Sequence, residues 1–342
     1  MIGLTMSNLF KKAVVFTDIH FGNKSNAYLH NEDCVAFVEW VIKLGKEQGA
    51  ETCLFLGDWH HHRASINVAT LNYSIMAMTR LSESFDQVIF LPGNHDEYYR
   101  DKRDFNSVAW IKHLPNIRLF NDITVEGDVA IVPWLVGDEW KQIKKLEAKY
   151  MLGHFELPSF YMNAMIQMPD HGELKNNHFR GVERMFTGHF HKRQEVGNIS
   201  YIGNAFPHNY SDAWDDARGA MILDWGQPHV FHQWHDAPKY RVLKLSALLD
   251  DPDKLLLPKT YARINLDIDI SYEEANFIKE TFYEQYDVRE LSLLPQKNVE
   301  DAFDEKHEVN FESVDSIVYS QLGAVDSQLY DNNLLMEIYR NL

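Results

Sequence analysis

Two histidines one residue apart, His189 and His191 in TGHFHKR, follow an apolar run and a glycine. On an extended segment residues i and i+2 point the same way, so both imidazoles can face one ion cluster. Gly188 lets the backbone approach closely. A lone H-x-H is as readily a plain surface pair, and its weight here comes from four earlier segments. Asp18 and His20 stand in TDIHFG, Asp58 in GDWHHH, Asn94 in PGNHDE and His154 in GHFE. These hard oxygens and imidazoles, without a thiolate, favour Mn²⁺, Fe²⁺ or Zn²⁺ in an open site over a structural cysteine-type zinc. The set is too large for one open catalytic ion and suits two, held about 3.5–4 Å apart by a shared carboxylate. Asp58, at the end of a central strand, is the natural bridge. Singly, such an Asp is often a helix cap and such a His a hydrogen-bonded core or surface residue. Jointly, D-x-H, G-D, G-N-H-D, G-H and G-H-x-H each follow an apolar strand.

The elements that must position these residues are legible from the apolar pattern. Ala13–Phe16, Thr52–Leu56 and Gln87–Leu91 read as buried strands. Between them, Asp33–Lys46 has helical spacing, and Ala64–Leu81 is a helix with apolar residues most of the way round. Such a helix is usually core, or else packs against a second copy of the chain. Ile123–Val125 and Val129–Val132 flank a hairpin turn at Glu126-Gly127-Asp128. Asp138–Lys149 is expected to be helical, Tyr150–Leu152 and Arg184–Phe186 to be strands, and Glu195–Ile202 a hairpin about Gly197-Asn198. Ala220–Trp225 and His229–Trp234 are further strands. The motifs lie just past strand C-terminal ends, where open α/β folds place ligands.

A boundary is expected around Gly226–Pro238, dividing residues 1–234 from a small α+β unit over 235–297. In that unit Ile264, Leu266, Ile268 and Ile270 alternate with polar residues as in a strand with one wet face. Tyr272–Tyr286 follows as an amphipathic helix capped by Ser271, and Val288–Leu294 as a partner strand. Residues 298–309 are acidic and read as a linker. Residues 310–342 carry two short amphipathic stripes that either fold back or grip a partner.

The 342 residues carry a net charge of -17, which argues against coating nucleic acid by bulk charge and leaves room for local, metal-assisted phosphate contacts. There is no run of about 18 apolar residues to span a membrane and no secretory pattern at the N-terminus. Cys34 and Cys53 lie in apolar segments and read as reduced core residues of a cytoplasmic protein.

With these motifs in place, the stretch from Ala13 to Trp234 resembles the calcineurin-like metallophosphoesterases. The resemblance implies an α/β fold, a four-layer α/β/β/α sandwich of two mixed sheets. It implies that Asp18, His20 and His191 hold one ion and Asn94, His154 and His189 the other, with Asp58 bridging. His95 would face the phosphate as proton donor or charge stabiliser, with Asp96 to orient it. Two such ions neutralise phosphate oxygens and lower the pKa of water between them toward about 7, and general-acid help is worth about 10²–10⁴ in rate.

Within that superfamily, four features are similar to the SbcD-type DNA repair nucleases and closest to phage-type recombination nuclease subunits. His61 follows Asp58 by three residues, where the nucleases have a histidine that positions the scissile phosphodiester. YIGNAFPHNYSDAWDDARG is similar to a tyrosine-glycine-serine segment, with Asn204 in place of the serine. The 235–297 unit matches a DNA-capping domain, and 310–342 the segment that binds an SbcC-like coiled-coil ATPase. The resemblance thus implies a two-metal DNA exo/endonuclease subunit of the bacterial or phage-infected cytoplasm. Mn²⁺ would be the favoured metal, with Mg²⁺, Fe²⁺ or Zn²⁺ as alternatives. Lys192 and Arg193 would lie beside the DNA backbone, and the Ala64–Leu81 helix would form a homodimer interface. The competing expectation is a stand-alone small-molecule or cyclic-nucleotide phosphodiesterase.

Overall fold

A computed structural model describes residues 9–163, 166–170 and 174–294. The acidic linker and the C-terminal helical stripes expected from the sequence lie outside those residues.

Continuous apolar runs become strands buried on both faces, as parallel pairing requires. The first sheet contains β1 (Lys12–Phe16), β2 (Thr52–Leu56), β3 (Gln87–Leu91) and β4 (Ile117–Leu119) in parallel. The second contains β5 (Thr124–Glu126), β6 (Val129–Val132), β7 (Tyr150–His154), β8 (Arg184–Gly188), β9 (Gln194–Val196) and β10 (Ile199–Tyr201). Its order is β5-β6-β7-β8-β10-β9, parallel through the middle with an antiparallel strand at each edge. The chain then returns to the first sheet with β11 (Gly219–Asp224) and β12 (Val230–Gln233), antiparallel, to give β12-β11-β1-β2-β3-β4. Both sheets are therefore mixed.

Alternate side chains of the strands sort into two cores. Val15, Leu54, Leu56, Ile89 and Leu91 meet Ile131, Leu152, Phe186 and Ile202 between the sheets. Val14, Phe16, Cys53, Phe55 and Phe90 point outward against the helices Tyr28–Gln48 and Val68–Ser84. Cys34 and Cys53 are both free and buried. The second helix starts later than its apolar pattern predicts, because Asn67 caps it by accepting from the Ala69 N–H at 2.8 Å. It buries Thr70, Ser74, Ala77, Met78 and Leu81 and leaves Val68, Ile75 and Met76 exposed.

The outer face of the second sheet is covered differently from expectation. Asp138–Lys149 does not form an α-helix, and a 3-10 helix spans Gly137–Lys145 instead. Of its residues only Ile143 is buried, so burial gives little reason to extend it. Glu139 is also clipped, accepting from the Val136 N–H at 2.9 Å and pairing with Arg103.

A third sheet, absent from the sequence reading in this form, joins β13 (Lys239–Lys244), β14 (Thr260–Asn265) and β15 (Val288–Leu294), all parallel. The wet-faced strand thus begins and ends earlier than its alternation predicts, and Leu266, Ile268 and Ile270 leave the ladder to pack on a separate apolar cluster. β13 went unread because Lys239, Arg241 and Lys244 interrupt its apolar residues. The helix Tyr272–Gln285 is capped by a reciprocal Ser271–Glu274 pair. The described residues up to Leu294 form one compact unit. The third sheet is tied in by Tyr240, whose hydroxyl donates to the His208 carbonyl at 2.8 Å. Lys24 adds a second tie, its Nζ lying 3.3 Å from the Tyr261 ring centroid. No helix among the described residues is long and apolar enough to cross a membrane.

Candidate metal centre

The C-terminal ends of β1, β2 and β3 meet those of β7 and β8, and the loops there are stitched across the two sheets. The His189 N–H donates to the Asp18 carboxylate at 3.0 Å, and the Trp134 N–H to the Pro92 carbonyl at 3.1 Å. Approach this close needs residues without side chains. A Cβ on Gly57 would strike His154 and Gly93, one on Gly93 would strike Asp58, and one on Gly188 would strike Thr17, Leu56 and Asp18. Four of the candidate ligands also hold left-handed backbone, with φ of 50° at Asp18, 55° at His20, 61° at Asp58 and 92° at His189. Such conformations cost about 1–3 kcal/mol each and gather where surrounding structure over-determines them.

Asp58 lies at the centre. Its Oδ2 stands 3.7 Å from His20 Nε2 and 3.4 Å from His154 Nε2, so one carboxylate oxygen faces an imidazole from each side. Its Oδ1 accepts from the His95 N–H at 2.8 Å. Burial would raise this carboxyl, but His154, His95 and His189 more than offset it and hold it well below the usual range. Asp18, His20 and Asp58 bring ligand atoms within 4.8 Å of one another on one side, and Asp58, His154 and His189 on the other.

Second contacts fix the rings. His154 Nδ1 lies 2.7 Å from the Leu56 carbonyl, which can only accept, so Nδ1 carries the proton and Nε2 turns toward Asp58. Burial would lower His154, but the Asp58 charge and hydrogen bond push it up to about 9. Asn94 Oδ1 lies 3.1 Å from His154 Nε2 and 2.9 Å from His189 Nδ1. His191 sits 5.3 Å, ring to ring, from His20. All seven expected ligands therefore gather at this seam.

His95 and His61 stack beside His20 with centroids 5.3 Å apart, and His95 Nδ1 is held 2.7 Å from the His61 carbonyl. Burial, then His95 and His62, lower His61 to about 4, so it is neutral near pH 7. His60 is a structural pin, its two ring nitrogens 2.8 Å from Ser107 Oγ and 2.9 Å from Ser74 Oγ.

The structure gives three further expected residues specific surroundings. Asp96, read as orienting His95 or phosphate, is fully buried and spends its carboxylate on backbone. It accepts from the N–H groups of Gly93, Asp58, Trp59 and His60 at 2.9–3.0 Å. Burial and the Asp58 charge raise it to about 6, against the pull of those bonds. It is a positioning residue for two loops. Lys192 and Arg193, expected beside a nucleic-acid backbone, lie over aromatic rings, Lys192 4.7 Å from Tyr161 and Arg193 4.2 Å from Phe231.

Sequence reasoning missed other members of the cluster. Glu156 Oε2 is 3.1 Å from His189 Nε2, and the Trp134 ring is 5.0 Å from the His189 ring. His30 Nε2 is 2.9 Å from the His20 carbonyl, and His208 sits 5.4 Å from both His20 and His191. Glu156 was visible in GHFE, two residues past β7 as Asp18 is past β1, but was passed over beside His154; His208 lies seven residues past β10, outside the short spacing that marks the others.

Comparison with known proteins identifies the family. The sequence pattern of the calcineurin-like phosphoesterases matches residues 11–193. The chain is 26% identical over 216 residues to Exonuclease subunit 1 of Enterobacteria phage T4, covering 60% of this chain and 62% of that protein. The match thus spans less than two thirds of that relative. Among solved structures, the chain is similar to Yfce, a phosphoesterase from E. coli, with 15% identity, a TM-score of 0.32 and 63% of this chain and 88% of that chain covered. The Pseudomonas putida nuclease MPE gives 20% identity, a TM-score of 0.29 and coverage of 55% and 66%. A dimetal phosphatase from Danio rerio gives 12% identity, a TM-score of 0.36 and coverage of 62% and 92%.

Proposed function

The chain belongs to the calcineurin-like phosphoesterase family, and from that premise we propose that it is a two-metal DNA nuclease subunit. The observation that carries the metal reading is Asp58 Oδ2 facing His20 on one side and His154 on the other. Asp18, His20 and His191 would hold one ion and Asn94, His154 and His189 the second, with Asp58 shared. The donor set of oxygen and imidazole suits Mn²⁺, with Mg²⁺, Fe²⁺ or Zn²⁺ as substitutes. Bound there, the ions would supply Lewis acidity toward a phosphate and an acidified water near neutral pH.

The protein's own groups do the rest. The Leu56 carbonyl keeps His154 Nε2 aimed at Asp58. Asp96 fixes the loops that carry Asp58, His61 and His95. The His61 carbonyl accepts from His95 Nδ1–H, which turns Nε2 outward, and the second proton of the imidazolium form, carried on Nε2, would be the one given to a leaving oxygen. His61, stacked on that ring and neutral, would position the phosphodiester.

Support for DNA as substrate comes from the resemblance to an exonuclease subunit. The word subunit in that name supports a partner, for which an SbcC-like coiled-coil ATPase gripping residues 310–342 is our reading. The exposed Val68, Ile75 and Met76 on the Val68–Ser84 helix support a two-fold homodimer. A net charge of -17 makes DNA affinity weak and salt-sensitive without the partner. The test is to load the full chain with Mn²⁺ and assay linear DNA, bis-p-nitrophenyl phosphate and cyclic nucleotides beside a His95→Ala control. DNA cleavage lost in the control is the expected result. A small diester turned over efficiently while DNA stays intact, with or without a coiled-coil ATPase subunit, overturns the nuclease reading.

A further inference from the structure

We propose that His208 is an additional ligand of the ion placed with Asp18, His20 and His191, an inference that rests on the two-metal reading above. His208 stands on the loop after β10, outside the motifs that supply the other donors. Its side chain is buried to 1% exposure, and neither ring nitrogen has a hydrogen-bond partner. A phenyl ring would fill such a place without leaving two polar atoms unsatisfied, so an orphaned imidazole in a buried position points to a missing partner.

The other buried histidines show what a satisfied ring looks like here. His30 meets the His20 carbonyl, His60 meets Ser74 and Ser107, and His154 meets Leu56 and Asn94. Among the buried histidines of the described residues, His20 alone shares with His208 the state of having both nitrogens open, and His20 is itself an expected ligand. One nitrogen from each of His20, His191 and His208 lies within 4.8 Å of the other two, close enough for one ion to be shared. The loop is built to hold the ring there. The His208 N–H donates to Asp212 Oδ2 at 2.9 Å, its carbonyl accepts from Tyr240 at 2.8 Å, and Phe206 packs edge-on at 5.0 Å. A third imidazole on this ion would raise its affinity and shift its preference toward metals that favour nitrogen, Mn²⁺, Fe²⁺ and Zn²⁺ over Mg²⁺.

The test uses the full chain, stripped of metal and labelled with ¹⁵N-histidine, titrated with diamagnetic Zn²⁺ and followed by imidazole nitrogen shifts. The expected result is that His208 moves to a metal-bonded shift together with His20, His154, His189 and His191, and that His208→Gln removes that signal alone. In parallel, Mn²⁺ titration of His208→Gln should show one of the two ions weakened by at least about tenfold, with the other unchanged. If the four other histidines shift and His208 does not, the inference falls and the two-metal reading stands. If no imidazole shifts, both fall. Should His208→Gln fail to fold, the wild-type shifts decide by themselves.

Discussion

Replacing Asp96 by asparagine exchanges one carboxylate oxygen for an amide nitrogen and changes almost nothing in size. In the folded chain Oδ1 accepts from the N–H groups of Trp59 and His60, and Oδ2 from those of Asp58 and Gly93. Whichever way the amide sits, its NH₂ must face two backbone donors. Hydrogen bonds to a charged group contribute about 1.5–3 kcal/mol each, so two lost bonds remove about 3–6 kcal/mol. Local relaxation brings the expectation to about 3 kcal/mol, which for a domain of this size lowers the melting temperature by about 4–5 °C. Because Asp96 also sets the loops bearing Asp58 and His95, Mn²⁺ affinity should fall about 10–100-fold. Thermal denaturation of metal-free protein, followed by Mn²⁺ titration, measures both. A variant that melts within about 2 °C of wild type and binds Mn²⁺ normally, yet loses turnover, would place Asp96 on the substrate and refute the positioning role.

Further expectations follow from other parts of the structure. Glu97 is fully buried, both its oxygens lack partners, and burial followed by the Asp96 charge raises it to about 8. Its folded pKa then exceeds its unfolded one, so stability should fall as pH rises from about 5 through about 8. Glu97→Gln should remove that loss, gaining about 1–2 kcal/mol on wild type between pH 6 and pH 9 in urea unfolding of the metal-free chain, and parallel curves would count against it. Gly188→Ala forces a methyl group into Thr17, Leu56 and Asp18 and should cost roughly 1–3 kcal/mol with loss of metal affinity; an unchanged melting temperature and Mn²⁺ titration would refute the close packing. Ile75→Glu on the exposed helix face should convert a dimer to a monomer in light scattering without altering small-diester turnover, and a wild-type chain that is already monomeric would remove the interface.

The strand ends were legible because parallel strands buried on both faces leave continuous apolar runs, and each run stops abruptly at a polar motif. Val14 to Phe16 followed by Asp18 is one such edge, and Leu54 to Leu56 followed by Asp58 another. His208, seven residues past β10, carries no such mark, since its place depends on a loop path that no periodicity encodes; Glu156 and Trp134 stand two residues past β7 and β6, but nothing in their residue types tells that they face His189. The role of Asp96 was misread for a related reason. An acidic residue next to a reactive histidine has one spelling in sequence, whether its oxygens face substrate or four backbone donors. β13 escaped because Lys239 and Arg241 bury their stems while keeping cationic ends, which hides a strand from a hydropathy pattern.

Asp18, Asp58 and Asn94 come from one sheet and His154, His189 and His191 from the other. The first set is complete when Asn94 has been synthesised, and the second only when His191 has. Full ion capture must therefore wait for His191, with β11 and β12 of the first sheet still to come, and a nascent or partly unfolded chain would lack the full ligand set. An ion held by both sets would act as a clasp on the docked sheets, stabilising them by mass action by an amount that grows with the logarithm of the free metal. Scarcity of metal would then shorten the lifetime of the fold itself.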